Sequence, residues 1–293
     1  MLNISGSMTA LVTPFRDGNI DDDAFQRLIA RQIDQGTSAI CPAGTTGESA
    51  TLSHEEHRRV IELAVEASAG RVPVIAGAGS NATEEAISLA KFAEGAGADA
   101  ILCVTGYYNK PTQAGLQAHF TALHDATSLP MVLYNVPGRT IADLSIETVD
   151  ALSRLPRVLA IKDATGDLAR VPLQRLASAD GFVLLSGEDM TAVGFNAMGG
   201  RGCIGVTANV APDLCARMQT ASLEGDYAAA VAIQDRLAAL HDCLFAETSP
   251  GPVKYALSLL GLCEPDVRLP LVGPGEATQR AVETALQKAD ITR

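Results

Sequence analysis

The chain has no tryptophan, and aromatic residues make up only 4% of its 293 positions. A base-stacking platform for single-stranded nucleic acid needs such rings, so that class of ligand is excluded. Positive charge is also scarce. There are 22 Lys and Arg against 34 Asp and Glu, a formal net charge of -12. A phosphate backbone requires a basic face, whereas a small anion needs only a local cationic site. No apolar stretch reaches membrane-spanning length, and the first residues lack the basic region and apolar segment of a secretion signal. Cys41, Cys103, Cys203, Cys215, Cys243 and Cys263 show no close paired spacing. Buried free thiols in a reducing, cytoplasmic setting account for them most simply. No compact metal-ligand set stands out. The histidines of His54-Glu55-Glu56-His57 lie three apart, where a zinc-protease helix needs four.

What is present is apolar residue, at 47% of the chain, distributed in alternating strand-like and helix-like segments. The strand-like runs are Met8 to Val12, Ser38 to Cys41, Val72 to Ala76, Ala100 to Thr105, Met131 to Tyr134, Val158 to Lys162, Phe182 to Leu185 and Gly202 to Val206. Helix signals separate them. Asp21 to Asp23 suit a helix start, Ser53 with Glu56 forms a capping box, and Asn81 or Thr83 caps the following helix. Eight such units over residues 1–223 predict an α/β fold, a (β/α)8 TIM barrel. Residues 224–293 carry three helix-like runs with no strand between them, a C-terminal helical appendage. Gly77-Ala78-Gly79-Ser80-Asn81-Ala82 imitates a dinucleotide fingerprint. The acid that should close the next strand, Asp99, precedes it instead.

Barrel chemistry gathers where strands end. Lys162 closes an entirely apolar run. Burying its charge is costly and favours the neutral amine, a form that attacks carbonyls to give a Schiff base. A lysine that snorkels to solvent or pairs with Asp163 would read the same way. Thr45 and Thr46 follow strand two, Tyr107 and Tyr108 follow strand four, and Tyr134 closes strand five. Adjacent strands should bring Tyr134 to Lys162, where a phenol can pass protons. Arg139, one short loop further on, could fork onto a carboxylate or pair with Asp143. Gly44 and Gly47 open the backbone so that N–H groups can face an anion. Gly187 follows strand seven and Ile204 lies in strand eight.

In order and spacing, Gly44-Thr-Thr-Gly-Glu-Ser49, Tyr107-Tyr-Asn-Lys-Pro111, Tyr134-Asn-Val-Pro-Gly-Arg139, Ile161-Lys-Asp-Ala-Thr-Gly166 and Leu185-Ser-Gly187 resemble the 4-hydroxy-tetrahydrodipicolinate (dihydrodipicolinate) synthase family. The resemblance covers nearly the whole chain. It implies condensation of pyruvate with L-aspartate 4-semialdehyde in lysine and diaminopimelate biosynthesis. Lys162 would form the imine, and Thr45, Tyr134 and a partner subunit's copy of Tyr108 would relay protons. Thr46 would hold the pyruvate carboxylate, Arg139 the semialdehyde carboxylate, and Gly187 and Ile204 would shape the pyruvate site. No metal or organic cofactor is implied, since the lysine-pyruvate imine is the electron sink. The resemblance also implies a homotetramer built as a dimer of dimers. An L-lysine effector would sit on Ser49, Ala50, His54, His57, Gly79, Asn81, Glu85 and Tyr107. Gly106 stands where the family usually has proline, and Asp163 where many relatives have glutamate. Two other readings fit the same residues. One is another pyruvate-dependent aldolase, such as an N-acetylneuraminate lyase or a 2-keto-3-deoxy sugar acid aldolase. The other is a non-enzymatic, metabolite-binding regulatory barrel.

Overall fold

In the computed structural model, which describes Leu2 and residues 4–292, eight parallel strands form one sheet. They are β1 (Gly6–Ala10), β2 (Ala39–Cys41), β3 (Ile75–Gly77), β4 (Ala100–Val104), β5 (Met131–Asn135), β6 (Val158–Asp163), β7 (Val183–Ser186) and β8 (Gly202–Gly205). Each pairs with its sequence neighbours from β3 to β8, β8 pairs with β1, and β1 with β2. A single parallel bridge between Ile40 and Val74 closes the ring between β2 and β3. The architecture is therefore the (β/α)8 barrel that the alternating pattern predicts.

Side-chain alternation sorts the strands into two cores. Met8, Ala10, Cys41, Leu102, Val132, Tyr134, Ala160, Leu185 and Ile204 fill the lumen. Ile40, Ile101, Cys103, Leu133, Ile161 and Leu184 face outward and pack with the helices. A register shift lets Met131 pair with Val158 but Val132 with Ala160, so Leu159 is an extra residue in β6. Beyond it the parity holds Ala160 and Lys162 inward, and Ile161 outward.

The surrounding helices are α1 (Asp22–Asp34), α2 (His54–Ser68), α3 (Thr83–Ala96), α4 (Gln113–Ala126), α5 (Ile146–Ser153), α6 (Arg170–Ala177), α7 (Ala192–Ala197) and α8 (Pro212–Leu223). Asp21 caps α1 by accepting from the Ala24 N–H. Ser53 and Glu56 form the expected capping box on α2. The cap of α3 differs. Ala82 holds that position with no side-chain bond, and it is the Ser80 hydroxyl that accepts from the Ala82 N–H, not Asn81 or Thr83 that caps. A small antiparallel pair, Phe15–Arg16 with Asn19–Ile20, also escaped the sequence pattern because each arm has only two residues.

Three helices follow: α9 (Tyr227–Cys243), α10 (Gly251–Leu259) and α11 (Glu276–Lys288). Leu237, Leu240, Val253, Leu257, Val282 and Leu286 join the same buried cluster as the outer barrel face. The appendage thus shares its core with the barrel.

Candidate active site

Register explains the first pairing. Tyr134 lies opposite Lys162, and Lys162 opposite Leu185, at the C-terminal ends of β5, β6 and β7. Both Tyr134 and Lys162 point into the lumen, 7% and 5% exposed. The Lys162 Nζ stands 4.2 Å from the Tyr134 ring centroid. Asp163 does not pair with Lys162. It faces outward, accepting from the Thr165 N–H and hydroxyl, from Arg170 Nε at 3.2 Å and from Gln174 Nε2 at 2.8 Å. The strand therefore separates a lumenal amine from a carboxylate that anchors α6.

Gly187 has a steric reason to be glycine. A Cβ there would lie 3.0 Å from Lys162 Cγ and Cε and 2.8 Å from Ala164 Cβ. Any side chain would crowd the lysine stem. Ile204 is fully buried in the lumen and pairs with Met8. Cys41 and Cys203 also lie close to the lysine. Burial pushes the Cys41 thiol up to about 12, with the Lys162 charge opposing, and raises Cys203 well above the ordinary thiol range. Both stay thiols at neutral pH and do not compete as nucleophiles. All six cysteines are free.

The Gly44 to Ser49 turn is folded onto itself: the Glu48 N–H donates to the Thr45 carbonyl and the Ser49 N–H to that of Gly44. Thr13 Oγ1 holds the Gly47 carbonyl at 2.8 Å, and a Cβ on Gly47 would lie 3.0 Å from the Leu11 carbonyl oxygen. Among the described residues no backbone acceptor takes the Thr45 or Thr46 N–H. Those donors suit a carboxylate. Gly77 and Gly79, the apparent dinucleotide fingerprint, serve packing instead. A Cβ on Gly77 would sit 2.1 Å from the Ala43 carbonyl oxygen, and one on Gly79 2.5 Å from the Val104 nitrogen. The glycines let neighbouring strand ends touch.

Arg139 sits on a one-turn helix, Pro137–Thr140, and is exposed. The sequence left Asp143 as its alternative partner, but Asp143 pairs with Arg170 at 3.2 Å and accepts from Asn135 Nδ2 at 2.8 Å. Arg139 is left to face a cavity of about 510 Å³. Thr45 and Tyr107 line that cavity too, as do Ser49, Ala50, His54, His57, Gly79 and Glu85. Lys162, Tyr134, Thr46, Gly187 and Ile204 do not; Tyr134 and Ile204 belong to the lumenal core, Gly187 lies against the Lys162 stem, and Thr46 is buried in its turn. Asn81 is also outside the cavity wall, and its carbonyl accepts from Asn109 Nδ2. Tyr108 is 92% exposed with φ of 70°, turned away from its own chain's lumen.

Around Glu85 the contacts are close. His54 Nε2 lies 2.8 Å from Glu85 Oε1, and the Ser80 hydroxyl bonds the other oxygen. These two hydrogen bonds hold the Glu85 carboxyl below the usual range, the Ser80 bond contributing most. Burial, helped by the His54 charge, pulls the His57 imidazole down to about 4. Among the described residues no group of three His, Cys, Asp or Glu is placed to hold a metal ion.

One buried group was missed. Lys254 of α10 lies in one of the helix-like runs of the tail, yet it is completely buried and pairs with Glu48 at 2.5 Å. The available signal was its isolation, since it is the one charge between Pro252 and Leu260.

A buried amine delivered by a strand end into the lumen, with a tyrosine ring against it, fits covalent catalysis on a carbonyl. The class is that of the imine-forming barrel lyases. The chain belongs to the dihydrodipicolinate synthetase family, whose model matches residues 3–289. It is 59% identical over 286 residues to the 4-hydroxy-tetrahydrodipicolinate synthase of Rhodospirillum centenum, covering 98% of both chains. The fold is similar to the crystal structure of the chloride-inhibited dihydrodipicolinate synthase of Acinetobacter baumannii complexed with pyruvate. That match has a TM-score of 0.97, 43% identity, and covers 99% of this chain and 100% of the other. The enzyme of Cyanidioschyzon merolae with lysine bound matches with a TM-score of 0.94 and 38% identity, covering 98% of each chain.

Proposed function

We propose that Lys162 is the imine-forming residue of the reaction this enzyme performs, the condensation of pyruvate with L-aspartate 4-semialdehyde to 4-hydroxy-tetrahydrodipicolinate. The lumenal Lys162 beside Tyr134 is the observation that carries this reading. The Nζ attacks the pyruvate keto carbon, water leaves, and the iminium draws electrons from the methyl carbon as it loses a proton. The resulting enamine attacks the aldehyde carbon, whose oxygen takes up a proton, and the semialdehyde's own amine then adds to the iminium carbon, closing the ring and expelling the Lys162 amine. The iminium is the electron sink, so no metal or organic cofactor takes part. Tyr134, Thr45 and the partner's copy of Tyr108 move protons on and off the oxygen lost as water. Thr46 and the free N–H groups of its turn seat the pyruvate carboxylate, Gly187 and Ile204 bound the pyruvate site, and Arg139 takes the semialdehyde carboxylate.

The exposure of Tyr108 supports an assembly in which it completes a neighbour's site, a homotetramer built as a dimer of dimers. L-Lysine is the proposed effector, with Glu85 taking its ammonium group and His54, His57, Asn81 and Tyr107 nearby. Ser49, Ala50 and Gly79 would complete the wall. The lysine-bound relative supports this reading. No described helix is long and apolar enough to cross a membrane. The free thiols support a cytoplasmic setting.

Borohydride reduction in the presence of pyruvate tests the central assignment. Peptide mass spectrometry is expected to find one pyruvate-derived group, on Lys162. An adduct on Lys110 or Lys254, or none, would overturn it.

A further inference from the structure

Two tail cations hold the loop on which the proposed pyruvate seat depends. Lys254 Nζ donates to Glu48 Oε1 at 2.5 Å and to the Asp266 carbonyl at 2.8 Å, and lies 4.0 Å from the Phe15 ring centroid. The other Glu48 oxygen accepts from the Arg268 N–H at 2.9 Å. The Arg268 guanidinium grips Glu56 with both terminal nitrogens, at 2.6 and 2.5 Å, and reaches the Thr51 carbonyl at 3.2 Å. Both Glu48 and Lys254 side chains are fully buried. Desolvation lowers the Lys254 pKa from the ordinary lysine value, with Glu48 opposing.

A buried ion pair is a poor general stabiliser, because desolvation offsets most of its attraction. Its geometric effect here is specific. Glu48 has a left-handed backbone, φ of 56°, unfavourable for a residue with a Cβ, and Ala43 at the other end of the turn has φ of 52°. Such backbone persists only where surrounding contacts impose it. The carboxylate supplies those contacts, and it sits two residues from Thr46 and three from Thr45 in sequence. We infer that Lys254 is a positioning residue, fixing through Glu48 the turn that presents Thr45 and Thr46 to pyruvate. On this view the helical appendage is part of the pyruvate site without touching substrate. The inference rests on the roles proposed above for Thr45 and Thr46.

The test compares Lys254→Met, Glu48→Gln/Lys254→Met and Thr46→Ala in the full-length chain. The double variant avoids leaving a buried carboxylate unpaired. Circular dichroism and thermal melting establish the temperature at which each is folded, and both KM values are measured below it. Both Lys254 variants are expected to raise the pyruvate KM about tenfold or more, as misplacement of a binding group does. The semialdehyde KM should move far less, and borohydride at saturating pyruvate should still label Lys162. Folded variants with a wild-type pyruvate KM and only a lower melting temperature would overturn the inference. So would failure of both Lys254 forms to fold, which would make the pair purely structural. Thr46→Ala separates the layers. If it raises the pyruvate KM while the Lys254 variants do not, only the positioning role falls. If it changes nothing, the pyruvate seat itself is misassigned and the inference falls with it.

Discussion

Lys162 and His57 are both buried, with opposite uses for it. At Lys162 an apolar lumen and an aromatic face surround the amine proposed to meet a carbonyl. His57, 6% exposed, is kept neutral by burial, with its pKa drawn from the usual 6.5 to about 4. Between those values the unfolded chain binds a proton that the folded chain refuses. Stability is therefore fully present above pH 6.5 and is lost as pH falls toward 4. The loss attributable to this group is on the order of 3 kcal/mol. Urea denaturation midpoints measured across that range should fall less steeply with acid for His57→Gln than for the parent chain. An unchanged slope would show that other groups carry the acid sensitivity. The residue scale was also where sequence reading was uneven. Tyr134 and Lys162 were legible together because strand register is a local property of neighbouring β units. Glu48 and Lys254 were not, because their contact spans 206 positions and no periodicity encodes it.

At the scale of elements, all eight barrel strands were readable from apolar runs, with ends displaced by a few residues. β3 shows why. The apolar run is Val72 to Ala76, but the ladder with β4 takes in Ile75 to Gly77, since a glycine that reads as a turn residue continues the pairing. The α3 cap was misread because Asn81 and Thr83 are both good capping types and the structure uses Ser80 outside the helix. That same Ser80 ties Glu85 of α3, which His54 of α2 also reaches. The two helix starts are thus joined by one carboxylate. If L-lysine competes for it, calorimetry should show binding that Glu85→Ala weakens at least tenfold, the loss expected when a charged hydrogen bond is removed. Steady-state assays should show partial inhibition relieved by the same change. Binding without inhibition would keep the site and remove the regulation, since coupling requires both.

For the whole molecule, the barrel and appendage share one outer core, and Arg268 and Lys254 cross between them. A single chain nonetheless leaves Tyr108 exposed, and the site it is proposed to serve is a neighbour's. Mixed Tyr108→Phe and Lys162→Ala subunits should therefore regain activity when they exchange. Each hybrid pair would hold one site with both defects and one with neither. Absence of recovery, with exchange proven by mass spectrometry, would place Tyr108 outside a neighbour's chemistry. The 510 Å³ cavity carries a different consequence. Its walls include both Arg139 and Glu85, so a cationic and an anionic side chain line one cavity of drug-like size. A zwitterionic inhibitor with its carboxylate on Arg139 and its amine on Glu85 would occupy the proposed acceptor and effector positions in one molecule. Tethering the two fragments would gain by effective concentration what neither achieves alone. Resistance by substitution at one end would leave the other anchor in place.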